Sequence, residues 1–167
     1  MMDIKTRRSF ESGHARKFLL IVDDSPEVES AFYYAASRIA HSSGSLLMLY
    51  VIEPQAHQPW AGVRQVQIEE ETVKAKALFR MFRRKLHLAG FDAVACDDVI
   101  RDGSKAEEIL KVIAEDEDVA ILVLGASVDA KGPGPLVAAL AAGKGGFPIP
   151  VTVVPGNLSL IDIIALA

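Results

Sequence analysis

The sequence is poor in the residues from which metal and redox centres are built. Of its 167 residues one is cysteine, Cys96, so no internal disulfide forms and no thiolate cluster can hold a metal; this usage fits a reducing cytoplasm. The four histidines, His14, His41, His57 and His87, are scattered and give no pattern for serine-based nucleophilic catalysis. A net charge of −4 lacks the basic footprint of a nucleic-acid binder. No apolar run approaches the ~20 residues that cross a bilayer. The stretch Met1–Lys17 carries Lys5, Arg7, Arg8, Arg16 and Lys17 but no apolar segment of a secretory leader. With nothing in it to pack, 1–16 is expected to be a flexible basic tail.

Half of the residues are hydrophobic and 24% charged, an ordinary balance for one globular domain with a sizeable core. The most informative stretch is Phe18-Leu19-Leu20-Ile21-Val22-Asp23-Asp24-Ser25, an apolar run that ends in two carboxylates. Ser25 suits a helix N-cap and Pro26 the first helical position. A buried strand therefore delivers acidic side chains to the start of a helix, at the end of the strand where open α/β sheets bind ligands.

Further along, Val28, Ala31, Phe32, Ala35, Ile39 and Ala40 recur at helical spacing up to Gly44. Leu46–Ile52 predicts a second buried strand, 54–63 a loop broken by Pro54, Pro59 and Gly62, and Arg64–Leu88 a long helix closed by Gly90. Residues 93–100 alternate as a third strand should. Ser104 and Glu107 form a capping box for a helix over Lys105–Glu115. Val119–Leu124 is a continuous apolar run typical of a central strand. Leu136–Ala142 predicts a short helix, Val151–Val154 a last strand between prolines, and Leu160–Leu166 a terminal helix. Strands alternating with helices five times imply a doubly wound five-stranded parallel sheet with helices on both faces.

Several of these pieces resemble the universal stress protein family. Val22-Asp23-Asp24-Ser25 resembles its first strand end, and Leu49-Tyr50-Val51-Ile52-Glu53-Pro54 its second. Asp102-Gly103-Ser104 with Glu107-Glu108-Ile109-Leu110 matches its third turn and helix, and Ala120-Ile121-Leu122-Val123-Leu124-Gly125 its fourth strand. The resemblance covers 17–156, which is read as the domain, with 157–167 a helical tail. It implies an α/β fold like that of the adenine nucleotide alpha hydrolases, strand order 3-2-1-4-5, usually a homodimer. It further implies a site for ATP or another adenine nucleotide, with Mg²⁺ only alongside the nucleotide; a module with no cofactor is the other reading. The base would lie by Val22, Asp23 and Val51. The phosphates would lie on a Gly-x2-Gly-x9-Gly-Ser/Thr loop, where bare N–H groups and a helix start face the anion.

The loop departs from that pattern. Gly125 stands at the first glycine, but the second falls on Val128 and the last pair on Ala138-Ala139. Gly132 and Gly134 lie between, offering amides from Gly132 to Leu136 without the hydroxyl. ATP binding is thus expected to be weak or absent, and the candidate ligand residues are Val22, Asp23, Val51, Gly125, Gly132 and Gly134.

Leu20–Pro26 also resembles the start of a response-regulator receiver domain, in which paired carboxylates hold Mg²⁺. No aspartate ends a later apolar strand at the required distance, and Pro155-Gly156 follows the last strand in place of Lys-Pro. Asp23 has two readings, ligand contact or a carboxylate satisfied by turn amides, whereas Asp24 is expected to face solvent. Lys74, Lys76, Arg80, Arg83, Arg84 and Lys85, offset by Glu69, Glu70 and Glu71, form a solvated helix face. Trp60 either covers the crevice or anchors its loop, and Cys96 is expected to be buried or inert.

From Val119 onward charge almost vanishes, and the prolines around Val151–Val154 mark an edge strand. An uncovered apolar edge is a hazard, so a homodimer is expected through Val151, Thr152, Val153, Val154 and the C-terminal tail, with no nucleic-acid or membrane partner. Two function classes remain: a cytoplasmic stress-response binding module, or an ATP-hydrolysing or phosphotransfer switch using Asp23 and the 125–134 loop.

Overall fold

The structure, a computed structural model, describes residues 5–55, 60–129, 131–143 and 146–167; His57, Pro59 and Lys144 lie outside them. β1 (Lys17–Ile21) is buried on both faces because it is the middle strand. It pairs in parallel with β2 (Ser45–Ile52) on one side and β4 (Val119–Ala126) on the other. β3 (Cys96–Asp102) and β5 (Val151–Pro155) complete the sheet in the order β3-β2-β1-β4-β5, all parallel. The helices are α1 (Glu27–Ala40), α2 (Ala61–Leu88), α3 (Lys105–Glu115), α4 (Pro135–Ala141) and α5 (Leu160–Leu166). This is the doubly wound sheet that the alternation predicts.

Successive side chains on a strand point to opposite faces, and β1 shows the consequence. Phe18, Leu20 and Val22 join a core with Phe32 of α1 and Phe79 and Phe82 of α2. Leu19 and Ile21 join a second core with Ile109, Val112 and Ile113 of α3, on which α4 also packs. Phe32 and Phe82 meet at 4.7 Å between ring centroids and tie α1 to α2. On α1 the inward set is Val28, Ala31, Phe32, Ala35, Ala36 and Ile39, with Ala40 exposed.

Some local expectations are corrected. The third strand starts at Cys96, not at 93, because its register against β2 begins Leu46↔Cys96, while the Val94 N–H closes a turn onto the Phe91 carbonyl. Ser104 precedes α3 but its side chain caps nothing; Glu108, one residue beyond the expected partner, turns inward and pairs with Lys111 at 2.7 Å. A capping box does form between Ser159 and Asp162 at the start of α5.

The described part of 1–16 departs from the expectation that nothing there packs. One Arg7 guanidinium nitrogen donates to the carbonyls of Ile113 (2.7 Å), Asp116 (3.0 Å) and Val119 (3.2 Å), and His14 lies 2.7 Å from Asp118. The free carbonyls at a helix C-terminus attract a cation, and the end of α3 offers them to Arg7 of a segment whose Phe10 stays 82% exposed. Lys17 adds a 2.7 Å bond to Asp116, which holds its ammonium pKa above the ordinary lysine value against the opposing effect of burial.

Candidate functional site

The cleft at the carboxyl edge is built where β1 and β4 end side by side. After β1 the buried Val22 donates its N–H to Leu49 at 2.8 Å, and the chain turns at Asp23. Asp23 Oδ1 accepts the Ser25 N–H at 2.9 Å and also the Ser25 hydroxyl. Ser25 therefore closes a turn on Asp23 and does not cap α1, whose N-cap is Pro26.

Across from it, Gly125 has a steric reason to be glycine. A Cβ there would meet the Glu27 carbonyl oxygen at 2.5 Å, and one on Gly156 would meet Glu27 Cβ at 2.6 Å. The first turn of α1 is seated between two bare backbones, which fixes Glu27 at the cleft. Asp23, Ser25, Glu27, Lys105, Gly125 and Gly134 are among its lining residues, and it encloses about 60 Å³. Ligand pockets commonly measure about 300–1,000 Å³, so this enclosed part alone is too small for a nucleotide, but it continues past Ser25, Glu27 and Gly134 into a groove of about 530 Å³.

The loop over this cleft is bonded to itself. The Ser127 N–H donates to Pro133 (3.2 Å), Asp129 to the Ser127 hydroxyl (3.3 Å), Lys131 to the Asp129 carboxylate (2.8 Å) and Gly132 to the Asp129 carbonyl (3.2 Å). Gly132 and Gly134, at φ of 100° and 104°, permit the reversal that makes this closure. The amides of Ser127, Asp129, Lys131 and Gly132 are thus already satisfied within the loop, whereas among the described residues those of Gly134 and Leu136 have no hydrogen-bond partner.

Lys105 is the one cation among the described lining residues. Its Nζ lies 3.7 Å from Asp23 Oδ2 and 3.8 Å from Glu53 Oε1, with the side chain 20% exposed. It is the first residue of α3, where the helix dipole disfavours positive charge. That misplacement was the available sequence signal for a residue the motif reading missed; Glu27, also missed, could be found as the acid on the same helical turn as Pro26. Asp23 and Glu53 beside one ammonium, with Glu27 also lining the cleft, leave the region net acidic.

Over β2 and β3 the edge is covered differently. No residue of α2 before Ala75 is buried, and the inward face there is polar apart from Ile68, which is half-buried against the core. Arg64 pairs with Asp102, Gln67 Nε2 donates to the Glu53 carbonyl at 2.9 Å, Glu71 accepts the Tyr50 hydroxyl, and Lys74 meets Asp24 at 2.7 Å. Burial, then the Glu71 bond, raise the Tyr50 pKa, while the Lys74 bond lowers that of Asp24. Asp24 is otherwise open to solvent at 65% side-chain exposure, as its sequence position suggested.

Of the residues singled out in the sequence, Asp23, Gly125 and Gly134 meet in the cleft, and Gly132 lines the groove beside it with Asp129 and Lys131. Val22 and Val51 are buried on opposite faces of the sheet, and neither lines the cleft. Trp60, 69% exposed ahead of α2, neither covers the crevice nor anchors a core. Cys96 is half-buried, and burial pushes its thiol up to about 11. Among the described residues no group of three or more His, Cys, Asp or Glu is placed to hold a metal ion, and no helix is long and apolar enough to cross a membrane.

Comparison with known proteins gives a consistent picture. The profile of the universal stress protein family matches residues 14–137. The solved universal stress protein UspA from Lactobacillus plantarum superposes with a TM-score of 0.62 at 22% identity, covering 83% of this chain and 97% of that one. A universal stress protein family member from Arabidopsis thaliana, solved with AMP bound, gives 0.54 at 23% identity over 84% and 91% of the two chains. A universal stress protein in complex with cAMP gives 0.55 at 15% identity over 85% and 98%. No curated protein sequence matches.

Proposed function

The chain belongs to the universal stress protein family, and from that premise we propose that it is a cytoplasmic stress-response binding module whose cleft takes an adenine nucleotide of few phosphates. The observation that carries this reading is the self-bonded 127–133 loop facing Glu27. Each phosphate added to a nucleotide brings negative charge toward that carboxylate, and beyond the Gly134 and Leu136 amides the loop must break its own hydrogen bonds to offer more. Lys105 supplies one countercharge. The AMP and cAMP complexes of the two relatives support a ligand of this class. Mg²⁺ enters only with a polyphosphate nucleotide. Asp23 Oδ1 is engaged by the Ser25 amide and hydroxyl, so the site binds and does not turn over its ligand efficiently.

The test is AMP titrated into labelled protein and followed by amide chemical shifts. Expected are shifts at Asp23–Ser25, Gly125 and Pro133–Val137 (for the prolines, at their neighbours), with β5 and α5 unchanged. Shifts confined to the β3 edge, or none with AMP at millimolar concentration, would overturn the assignment.

The same reading includes a homodimer through β5. That strand pairs with β4 alone, leaving its outer edge open, and Val153 is 41% exposed there. Ile161 and Leu166 on α5 are 81% and 64% exposed. Two-fold pairing through Val151, Thr152, Val153 and Val154 would satisfy both edges, and the C-terminal residues would add apolar burial. Val153→Pro removes a donor from that edge; light scattering should then report monomer or aggregate. A monomeric unmodified protein at micromolar concentration would contradict the dimer.

A further inference from the structure

The outward face of α2 carries a charge pattern that the fold does not use. Val66, Val73 and Arg80 are seven residues apart and so stand in line two turns from one another. With Phe79, Phe82 and Leu86 buried on the opposite side, that line points away from the sheet. Beside it Glu69 and Glu70 precede Val73, while Lys76, Arg80 and Arg84 follow it, all of them exposed. Lys74 and Arg83 on the flanks are engaged by Asp24 and Asp98. Among the described residues no ion pair is formed by Glu70, Lys76, Arg80 or Arg84.

Three cations at successive i, i+4 positions repel one another within a helix. The macrodipole does not explain the arrangement, since its influence is confined to the terminal turns, and the acidic pair sits in the third turn of a 28-residue helix. What relieves the repulsion is an acidic surface of matching spacing, and the first half of α2 in a second copy is such a surface. Two α2 helices laid antiparallel about a two-fold axis at Val73 bring like sides of that line together, which places Glu69 opposite the partner's Lys76 and within reach of the partner's Arg80. Val66, Val73 and Ala77, small and exposed, lie at the contact, where they allow close approach.

We propose that α2 is a self-recognition surface, on which a second copy of this chain docks antiparallel with its own α2. One helix pair covers less than the roughly 800 Å² per partner of a standard interface. The association is therefore weak, transient and sensitive to salt. β5 lies at the other edge of the sheet, so this contact is independent of the β5 dimer and would link such dimers into larger assemblies.

Disulfide trapping in a Cys96→Ser background tests it. Val73→Cys places the thiols on the axis, where docking raises their effective concentration, and should cross-link two copies under mild oxidation at least about fivefold faster than Leu88→Cys. Position 88 is as exposed as 73 but far from its counterpart. Added to Val73→Cys, Glu69→Lys and Lys76→Glu should each slow the cross-link, and combining the two should restore it. Equal rates for Val73→Cys and Leu88→Cys, or a combination no faster than either single charge change, would overturn the proposal. So would protection of Lys76, Arg80 and Arg84 from amine- and guanidine-directed labels by polyglutamate but not by added copies of the protein, which would assign the face to an acidic partner of another kind. Since β5 is not involved, Val153→Pro leaves the cross-link unchanged even if no β5 dimer exists.

Discussion

Over β2 and β3 the carboxyl edge of the sheet is covered by the first half of α2, whose Arg64, Gln67, Glu71 and Lys74 each reach a residue at or just beyond a strand end. Between β1 and β4 it is covered by a loop whose Ser127, Asp129, Lys131 and Gly132 amides are bound within the loop itself. Both covers are polar, yet they hold for different reasons. The helix continues into a half anchored by Phe79, Phe82 and Leu86 in the core, so its polar ties orient a cover already carried by apolar burial. The loop leads into α4, which has no buried residue. It is therefore the loop that can open locally and admit a ligand, at the cost of its own hydrogen bonds.

The largest effect should come from removing the helix anchor. Phe79→Ala is expected to cost about 3–5 kcal/mol and lower the Tm by roughly 10 °C in thermal denaturation; a change near zero would show that α2 is held by its polar ties after all. Gly125→Val comes next, because its Cβ runs into the backbone of Glu27 at 2.5 Å. Overpacking of that kind costs about 1–3 kcal/mol, and both denaturant midpoint and AMP binding should fall together.

Gly134→Val meets no atom within 4 Å, but its φ of 104° is unfavourable to any side chain. Its cost of about 1–3 kcal/mol should appear as loss of AMP binding, with a smaller shift of the global midpoint than Gly125→Val, because the loop unfolds on its own. Equal global shifts for the two variants would remove the distinction between loop and scaffold.

Smallest is Lys74→Ala, a part-exposed pair worth about 1 kcal/mol or less. Hydrogen exchange should accelerate across 62–74 and stay unchanged across 78–88. Because the Lys74 bond lowers the Asp24 pKa below its reference of 3.8, its stabilisation is complete above that pH and disappears as pH falls through the lower folded value. Acid loosening of the first half of α2 in that window should therefore be weaker in Lys74→Ala.

What was legible in the sequence follows the same division. Apolar periodicity shows every strand and helix, because burial on one or both faces writes directly into residue type; α3 runs over Lys105–Glu115 as its pattern predicts. Polar capping proved less legible. Ser25 and Ser104 have cap-forming identities but their side chains cap nothing, while Ser159 caps with Asp162. A short polar side chain has several partners within reach, and only the fold selects one. The strand-end acid and the glycines of the cleft were visible as residues. Glu27 and Lys105 were not, because their role comes from packing: Glu27 is set by two glycines from different strand ends, and Lys105 lies near two carboxylates distant in sequence.

Calorimetry with AMP and with ATP plus Mg²⁺, on the unmodified protein and on Glu27→Gln, tests the closed, acidic cleft most directly. The unmodified protein should bind AMP at least about tenfold more tightly than ATP, a difference of ~1.4 kcal/mol, and Glu27→Gln should narrow that gap by strengthening ATP more than AMP. Tight Mg²⁺-dependent binding of ATP to the unmodified protein, exceeding that of AMP and unaffected by Glu27→Gln, would contradict the account.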